Sequence, residues 1–208
     1  MKVRYIKIFG WSDALDAARM TVGKKLLHKE PSDKFKNSIL TSEHSPIREA
    51  RYIIVIDDVP MWVTTHIVRH HEGIEKFVRT QRTDRTGSNI PRNEHKQGEL
   101  NSIMIDVNAQ ALINISKVRL CGMASKETKE YWKFVLNAIS KVDPIVVKYC
   151  VPTCVYRGFC PERKSCGFYK TAKFNEERNL YIRTCLNSVK EEPKKEEKGF
   201  FKKIFKRK

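Results

Sequence analysis

The chain has no long run of hydrophobic residues, and this absence argues against a helix that crosses a bilayer. The longest wholly apolar stretches, such as residues 52–56, are far shorter than the roughly 20 residues that a spanning helix needs. The first residues, 1–4, are positively charged, but neither the apolar segment nor the small-residue cleavage site of an export signal follows them. We therefore expect a cytoplasmic protein without a membrane span.

Acidic residues are scarce relative to basic ones. The sequence has 41 Lys and Arg against 24 Asp and Glu, which gives a formal net charge of +17. Residues 190–208 hold nine Lys and Arg against four Glu, a net +5, so about +12 lies on the rest of the chain. Such an excess of positive charge predicts a polyanionic partner, such as nucleic acid bound through the basic surface and tail, or a site for phosphate-bearing ligands.

Internal repeats are also absent, and the length of 208 residues suits one compact domain. We expect that domain to cover residues 1–188, followed by a basic, disordered tail at 189–208. The last ten residues interleave phenylalanines with five basic residues. This segment could bind a membrane surface or nucleic acid, or it could only keep the protein soluble.

Hydrophobic periodicity predicts both strands and helices. Alternating or β-branched stretches predict strands, at residues 1–9, 51–56 and 100–107. Three- and four-residue spacing predicts helices, at residues 12–28, 60–71, 108–120, 125–142 and 175–186. Residues 29–37 and 83–98 lack apolar periodicity and are predicted to be connections, of which the second is long enough to bind a ligand. The pattern is that of an α+β protein.

The predicted helix at 60–71 carries a basic face. His66, Arg69 and His70 stand at positions i, i+3 and i+4, so their side chains would project from one side. This face is either a solvated basic stripe or one wall of an anion site, and the spacing alone favours the solvated stripe.

Cysteine spacing gives a second candidate site. Four of the six cysteines lie within seventeen residues, at Cys150, Cys154, Cys160 and Cys166. They could hold one tetrahedral zinc ion, although none of their spacings is the C-x2-C of common zinc sites. An iron–sulfur centre and free or partly buried thiols remain alternatives, as expected for reduced cysteines in a chain that is not exported.

Three blocks of sequence resemble the flavin-dependent thymidylate synthase family, over roughly residues 41–119. Glu43-His44 is similar to the family's Glu-His pair, and Arg69-His70-His71 follows after 25 residues where the family has Arg-His-Arg. Residues 108–114, with Arg119 five positions later, are similar to the family's Asn-Ala-Arg-x-Leu-x-Asn block and its arginine. The resemblance implies a central, mostly antiparallel sheet flanked by helices.

Carried over residue by residue, the resemblance assigns a role to each matching position. It implies that five residues contact the flavin, namely His44, His70, His71, Asn108 and Asn114. Arg69 would lie between the flavin and the nucleotide, and His66 would contact the nucleotide. Arg119 matches the arginine that clamps the pyrimidine and withdraws electron density from its ring.

The chain departs from the family pattern in the nucleotide-binding segment. Arg79 occupies the position of the family's serine. If one residue is inserted, Thr80 takes the serine position and Arg82 that of the following arginine. Arg92, sixteen residues before Asn108, is a candidate for the family's phosphate-binding arginine. His71 replaces an arginine, and because a histidine is charged only near or below a pKa of about 6.5, flavin affinity could be lower or depend on pH.

The resemblance implies an enzyme that methylates dUMP to dTMP. Its cofactor would be FAD, its co-substrates would be methylenetetrahydrofolate and NADPH, and it would act as a homotetramer whose sites are shared between subunits. Two alternatives stay open. One is a related flavin- and folate-dependent reaction, such as hydroxymethylation or the use of deoxycytidylate. The other is a non-catalytic nucleic-acid-binding protein on the same scaffold.

Overall fold

A four-stranded antiparallel sheet forms the centre of the protein. The computed structural model describes residues 1–187. Within them the strands stand in the order β1-β2-β4-β3, and each neighbouring pair is antiparallel. The strand bounds are β1 Lys2–Phe9, β2 Arg51–Pro60, β3 Ile74–Val78 and β4 Leu100–Asn108. The sheet confirms the predicted α+β class.

Helices cover one face of this sheet. The helix bounds are α1 Trp11–Met20, α2 Asp33–Thr41, α3 Met61–Ile67, α4 Thr83–Thr86, α5 Ala109–Arg119, α6 Lys126–Ser140, α7 Pro144–Val147, α8 Thr153–Arg157 and α9 Ala172–Tyr181. Short 3-10 segments lie at Ser45–Arg48, Arg92–Glu94 and Phe168–Lys170, and a π-helical turn, Ile182–Leu186, follows α9. None of the helices in residues 1–187 has the length and apolar character required to cross a membrane.

The two central strands show why the sequence forms this sheet. Every second residue is buried from Tyr52 to Ile56 in β2 and from Asn101 to Val107 in β4, and these side chains point to the helices, as Ile54 and Ile105 do. The residues between them are only partly buried, so the other face of the sheet is more open. Trp132 of α6 is fully buried in the same core, where its Nε1 donates to Ser116 Oγ at 2.8 Å.

A buried carboxylate joins three parts of the core. Asp143 accepts hydrogen bonds from Trp11 Nε1 at 2.8 Å and from Tyr52 Oη at 2.7 Å. Its other oxygen accepts from the main-chain N–H groups of Ile145 and Val146, which caps α7. A single side chain thus ties α1, β2 and α7 together.

Two predicted elements differ from the structure near the N-terminus. The first helix ends at Met20 and not near residue 28, because the chain turns at Gly23 with a positive φ of 68°. Helix α2 begins within the stretch 29–37 that was predicted to be a connection, and it continues to Thr41. Ser32 caps it by accepting from Phe35 N, and Ile39 and Leu40 are buried beneath it. Its polar residues face solvent and masked the short apolar stripe.

Helix α3 is also shorter than predicted, and this changes the candidate site. It ends at Ile67, so Arg69, His70 and His71 lie in the turn that leads to β3. The main-chain N–H of His70 donates to Ile67 O at 3.1 Å, which tightens the chain into that turn. The predicted helical face of His66, Arg69 and His70 is therefore wrong. The predicted tail, residues 189–208, lies outside the described residues.

Candidate functional site

Two adjoining cavities lie along helix α5. The larger has a volume of about 580 Å³ and the smaller about 390 Å³, and Glu72, Ala111 and Asn114 line both. The larger cavity is further lined by Glu43, Arg48, Gly73, Asn108 and Gln110. The smaller is further lined by Arg69, His70, His71, Ile115 and Val118. Together they form a cleft, named here the α5 cleft, with the size of a ligand pocket and many hydrogen-bonding side chains.

The N-terminus of α5 is fixed by a close contact between two residues of the cleft. Asn108 is buried, and its Oδ1 caps the helix by accepting from Ala111 N at 2.8 Å. Its main-chain N–H donates to Gly73 O at 2.9 Å. A Cβ on Gly73 would lie only 2.6 Å from Asn108 Nδ2, and Gly73 has a φ of +69°. Glycine is therefore required at position 73, because both the space and the backbone exclude a side chain.

The C-terminus of α5 carries the arginine predicted to bind the pyrimidine. Arg119 Nε donates to His70 Nε2 at 2.9 Å, and Arg119 Nη2 donates to the main-chain oxygen of His66 at 2.6 Å. These two bonds hold one edge of the guanidinium group. Burial and the nearby charge of Arg69 lower the pKa of Arg119, whose ordinary value is high enough for the group to stay charged. The structure therefore places Arg119 between the two histidines as an oriented cation.

His70 is held in the neutral state. Burial, together with the charges of Arg119, Lys76 and His71, lowers its pKa to about 4. Because His70 Nε2 accepts a hydrogen bond from Arg119, its proton lies on Nδ1. Lys76 Nζ also donates to the main-chain oxygen of His70 at 2.5 Å, which fixes the turn. At neutral pH His70 is thus a hydrogen-bond donor and not a second positive charge.

The side chain of His66 faces α6. Its Nδ1 lies 2.7 Å from Thr128 Oγ1, and its ring packs edge-on against Trp62 with a centroid distance of 5.5 Å. Burial and the charges of Arg119 and Arg69 lower the pKa of His66. His66 is therefore fixed in orientation and, like His70, favours the neutral form.

An ion-pair network that includes three lining residues of the larger cavity, Glu43, Gln110 and Asn114, was not predicted. Glu43 accepts from Gln110 Nε2 at 2.6 Å and from Lys117 Nζ at 2.9 Å. Lys117 Nζ also lies 3.8 Å from the centre of the Tyr156 ring. Burial by itself raises the pKa of Glu43, but hydrogen bonds from Lys117, Gln110 and Tyr156 outweigh it and lower the pKa. Asn114 joins the network at longer distances of 3.4 Å.

The sequence contains a signal for this network. Gln110, Asn114 and Lys117 stand at i, i+4 and i+7 of α5 and therefore share one side of the helix. Glu43, with a φ of +45°, comes from a distant loop, and no local pattern connects it to them. Gln110 stands where the resembling family has an arginine, so a neutral amide meets the carboxylate here.

The predicted flavin residues are only partly brought together. His70, His71, Asn108 and Asn114 all line the α5 cleft, and Arg69 lies beside them. His44 does not line either cavity. It is exposed and precedes the 3-10 segment Ser45–Arg48.

The predicted nucleotide residues between positions 80 and 92 lie elsewhere. Thr80 lines a separate cavity of about 100 Å³, together with Arg79 and His95. Arg82 is exposed and pairs with Asp84, with a shortest distance of 2.7 Å. Arg92 is exposed in the segment Arg92–Glu94. None of these three predicted residues lines the cleft that α5 forms within its own chain.

The four predicted zinc ligands do not converge. Cys150 is buried, its Sγ donates to Val146 O at 3.5 Å, and burial raises its pKa to about 12. Cys154 is buried too, whereas Cys160 is half-buried and Cys166 is exposed beside Gly122. Among residues 1–187 no group of three or more His, Cys, Asp or Glu side chains is arranged to hold a metal ion. Within the described residues the four cysteines are therefore not arranged as the expected tetrahedral site, since Cys150 lies in the core and Cys166 at the surface.

The protein is thus an α+β domain with a cleft of the size of a ligand pocket, and comparisons with known proteins show what it is similar to. No family model matches the chain. A segment of 81 residues, 38% of this chain, is 35% identical to the flavin-dependent thymidylate synthase of Clostridium tetani. That match spans 30% of the length of the Clostridium protein.

Two solved structures share the fold. One is the flavin-dependent thymidylate synthase of Helicobacter pylori in complex with FAD and dUMP, with a TM-score of 0.58, 15% identity, and coverage of 73% of this chain and 100% of the other. The second is the UMP/dUMP methylase PolB of Streptomyces cacaoi bound to 5-Br dUMP, with a TM-score of 0.52, 12% identity, and coverage of 74% and 96%. The predicted resemblance is confirmed as a similarity: the chain is similar to a flavin-dependent thymidylate synthase in sequence over 81 residues, and it shares its fold with both solved structures.

Proposed function

We propose that the protein is a flavin-dependent enzyme that converts dUMP to dTMP, with methylenetetrahydrofolate as carbon donor and NADPH as reductant. The observation that carries the proposal is the orientation of Arg119, which lines neither cavity itself but is bonded to His70, a residue that lines the smaller cavity, and to the main-chain oxygen of His66. The relatives add support, because their names and bound ligands join a flavin to a uridine nucleotide.

The residues of the α5 cleft fit a flavin dinucleotide. The amide side chains of the cleft, Asn108 and Asn114, can pair with the polar edge of a flavin ring. Arg48, Arg69 and His71 supply positive or titratable groups for a pyrophosphate. The glycine at position 73 keeps the main chain and Asn108 in close contact at the floor of the larger cavity. A bound flavin would supply hydride transfer, and the protein would supply its orientation.

Arg119 would act on the pyrimidine. The hydrogen bonds among the described residues occupy two of its five N–H groups, so three remain for a ligand. A guanidinium group that binds a ring carbonyl draws electron density towards that oxygen and stabilises the charge that develops there. Neutral His70 keeps the guanidinium aimed, because it accepts from Nε and adds no competing charge.

We further propose that a second copy of the chain completes the site. Thr80, Arg82 and Arg92 carry hydroxyl and guanidinium groups suited to a nucleotide phosphate, but they lie outside the α5 cleft of their own chain. A homotetramer that places this segment of one subunit over the α5 cleft of another would bring the phosphate-binding side chains and the cleft into one site. Gel filtration with light scattering measures the assembly.

The enzyme assay has three parts. Purified protein should be yellow or become yellow with FAD, NADPH should bleach the flavin spectrum in the presence of dUMP, and mass spectrometry should detect dTMP. Arg119→Ala should lower turnover about 100-fold or more while FAD stays bound, since it removes a group that acts on the reacting ring. Arg163→Ala, an exposed arginine outside the cleft, is the matched control and should retain full activity.

Other outcomes would redirect the assignment. If the product is hydroxymethylated, the proposed cofactor and its cleft stand, but the proposed reaction is wrong. Colourless protein that cannot be reconstituted with FAD, and that binds DNA with a steep dependence on salt, would reject the enzyme in favour of nucleic-acid binding.

A further inference from the structure

The surroundings of His66 contain two hydroxyl groups that the proposed reaction does not use. Thr128 lies at the start of α6, and its side chain is completely buried. Ser125, which precedes α6, donates from its Oγ to Thr128 Oγ1 at 2.7 Å. Thr128 Oγ1 is in turn 2.7 Å from His66 Nδ1. Ser125, Thr128 and His66 therefore form a chain of hydrogen bonds that ends at the imidazole.

The number of available protons determines which atom donates in each of these hydrogen bonds. Thr128 has one hydroxyl proton, and a buried hydroxyl needs an acceptor for it. Ser125 uses Thr128 Oγ1 as an acceptor, so the threonine proton has to go to the other partner that this oxygen has among the described residues, His66 Nδ1. The opposite direction, with Nδ1–H donating to Thr128, would leave a buried hydroxyl proton without an acceptor. His66 Nδ1 is thus unprotonated, and the proton of the neutral ring lies on Nε2.

The remaining contacts of His66 agree with a neutral, fixed ring. Trp62 packs edge-on against it and limits its rotation. The two charged groups that influence it, Arg119 and Arg69, are both positive and oppose a third positive charge. The main-chain oxygen of the same residue anchors Arg119. His66 therefore supports the guanidinium group through its backbone and directs a separate N–H through its ring.

We infer that Thr128, held by Ser125, is a positioning residue that keeps His66 in the Nε2–H tautomer, so that His66 offers the nucleotide a hydrogen-bond donor and not a positive charge. This inference rests on the proposed function for the identity of the ligand. It also changes how the basic segment at 66–70 would recognise a ligand. With His66 and His70 both neutral, charge recognition falls to the arginines, while the imidazoles recognise acceptor atoms such as carbonyl oxygens.

The tautomer can be measured in the free protein, without any ligand. Nitrogen-15 NMR of protein labelled in histidine separates protonated from unprotonated ring nitrogens, and His66→Gln identifies the signals. Wild type and Thr128→Ser should show an unprotonated Nδ1 and a protonated Nε2. Thr128→Val keeps the shape but removes the hydroxyl, so the two tautomers should mix. Thr65→Val removes an exposed hydroxyl from α3, the helix that carries His66, and should leave the tautomer unchanged.

Calorimetric titration with dUMP tests the consequence for binding. Thr128→Val should weaken dUMP binding about tenfold, which is the size of one ordinary hydrogen bond, whereas Thr128→Ser should bind as the wild type does. His66→Gln, a neutral donor, should retain more affinity than His66→Phe. Thermal unfolding of each variant shows whether a loss of binding comes from a loss of structure. If Thr128 acts through its hydroxyl group, Thr128→Ser should keep both the wild-type tautomer and the wild-type dUMP affinity, whereas Thr128→Val should lose both at an unchanged Tm.

Each result decides a different point. A proton on Nδ1 in the wild type, or a tautomer unchanged by Thr128→Val, overturns the inference whether or not any nucleotide binds. Equal dUMP affinity in wild type, Thr128→Val and His66→Phe overturns the donor role of His66. If wild-type protein binds no dUMP while the NMR pattern is as expected, the proposed substrate is wrong and the positioning by Thr128 stands.

Discussion

Replacing Gly73 by alanine tests whether the floor of the α5 cleft is built as described. The φ of +69° disfavours any residue with a Cβ, which costs about 1 kcal/mol. The new Cβ would also lie within 2.6–2.9 Å of the side chain of Asn108 and displace it from the first turn of α5. Loss of such a cap costs about 1 kcal/mol more. Gly73→Ala should therefore lower the free energy of unfolding by about 2 kcal/mol.

The matched control is Gly23→Ala. Gly23 has nearly the same φ, +68°, but open space around its Cβ position, so it should lose only about 1 kcal/mol. For a domain of this size, 1 kcal/mol corresponds to about 2–4 °C in Tm, so Gly73→Ala should melt about twice as far below the wild type as Gly23→Ala does. Urea unfolding followed by circular dichroism measures the free energies.

A double-mutant cycle isolates the contact itself. In protein that already carries Asn108→Ala, the cap is gone, and Gly73→Ala should cost about 1 kcal/mol instead of about 2. FAD affinity should fall in Gly73→Ala and stay near the wild-type value in Gly23→Ala. Strictly additive losses from the two substitutions, or equal losses at positions 73 and 23, would refute the proposed coupling between Gly73 and the helix cap.

Two further predictions concern stability. Asp143→Ala leaves Trp11 Nε1 and Tyr52 Oη without their buried acceptor and uncaps α7, so it should cost about 3 kcal/mol or more, measured by urea unfolding; a loss below 1 kcal/mol would contradict it. The folded-state pKa of His70, about 4, lies below the ordinary value of about 6.5, so the unfolded chain binds more protons between these pH values. The stability from neutral His70 is complete above about pH 6.5 and is lost as pH falls towards 4. Unfolding at pH 7 and pH 5 should show a smaller acid loss of stability in His70→Gln than in wild type, and an equal loss would mean that burial and the neighbouring charges do not hold His70 neutral.

The parts of the fold with a long, regular pattern are predictable from the sequence. Strand β2 alternates between buried and partly buried positions from Arg51 to Asp57, and α5 begins at Ala109, one residue after the predicted start at Asn108, which caps it. Helix α2 was missed because its buried stripe consists of two residues, Ile39 and Leu40. Short apolar stripes carry too little periodic signal to separate a helix from a polar loop.

In the candidate site, too, local sequence patterns mark some residues, while contacts between distant parts of the chain cannot be predicted from them. The residues of the motif at 69–71 line the smaller cavity, but the end of α3 depends on the position of β3, which no local pattern specifies. Thr128 lies 62 positions from His66, and only the packing of α6 against α3 brings the two together. The cysteines illustrate the converse, because closeness in sequence between Cys150 and Cys154 does not put their thiols in one site.

Helix α5 sets the distance between the two ends of the cleft. Asn108 at its start contacts Gly73, and Arg119 at its end contacts His66 and His70. At 1.5 Å per residue the two positions are about 16 Å apart along a rigid rod. One inserted or deleted residue would rotate the far end by about 100° and turn Arg119 away from the histidines. Among natural homologues we therefore expect α5 to vary in composition at constant length, while insertions accumulate in the loop between Val78 and Leu100.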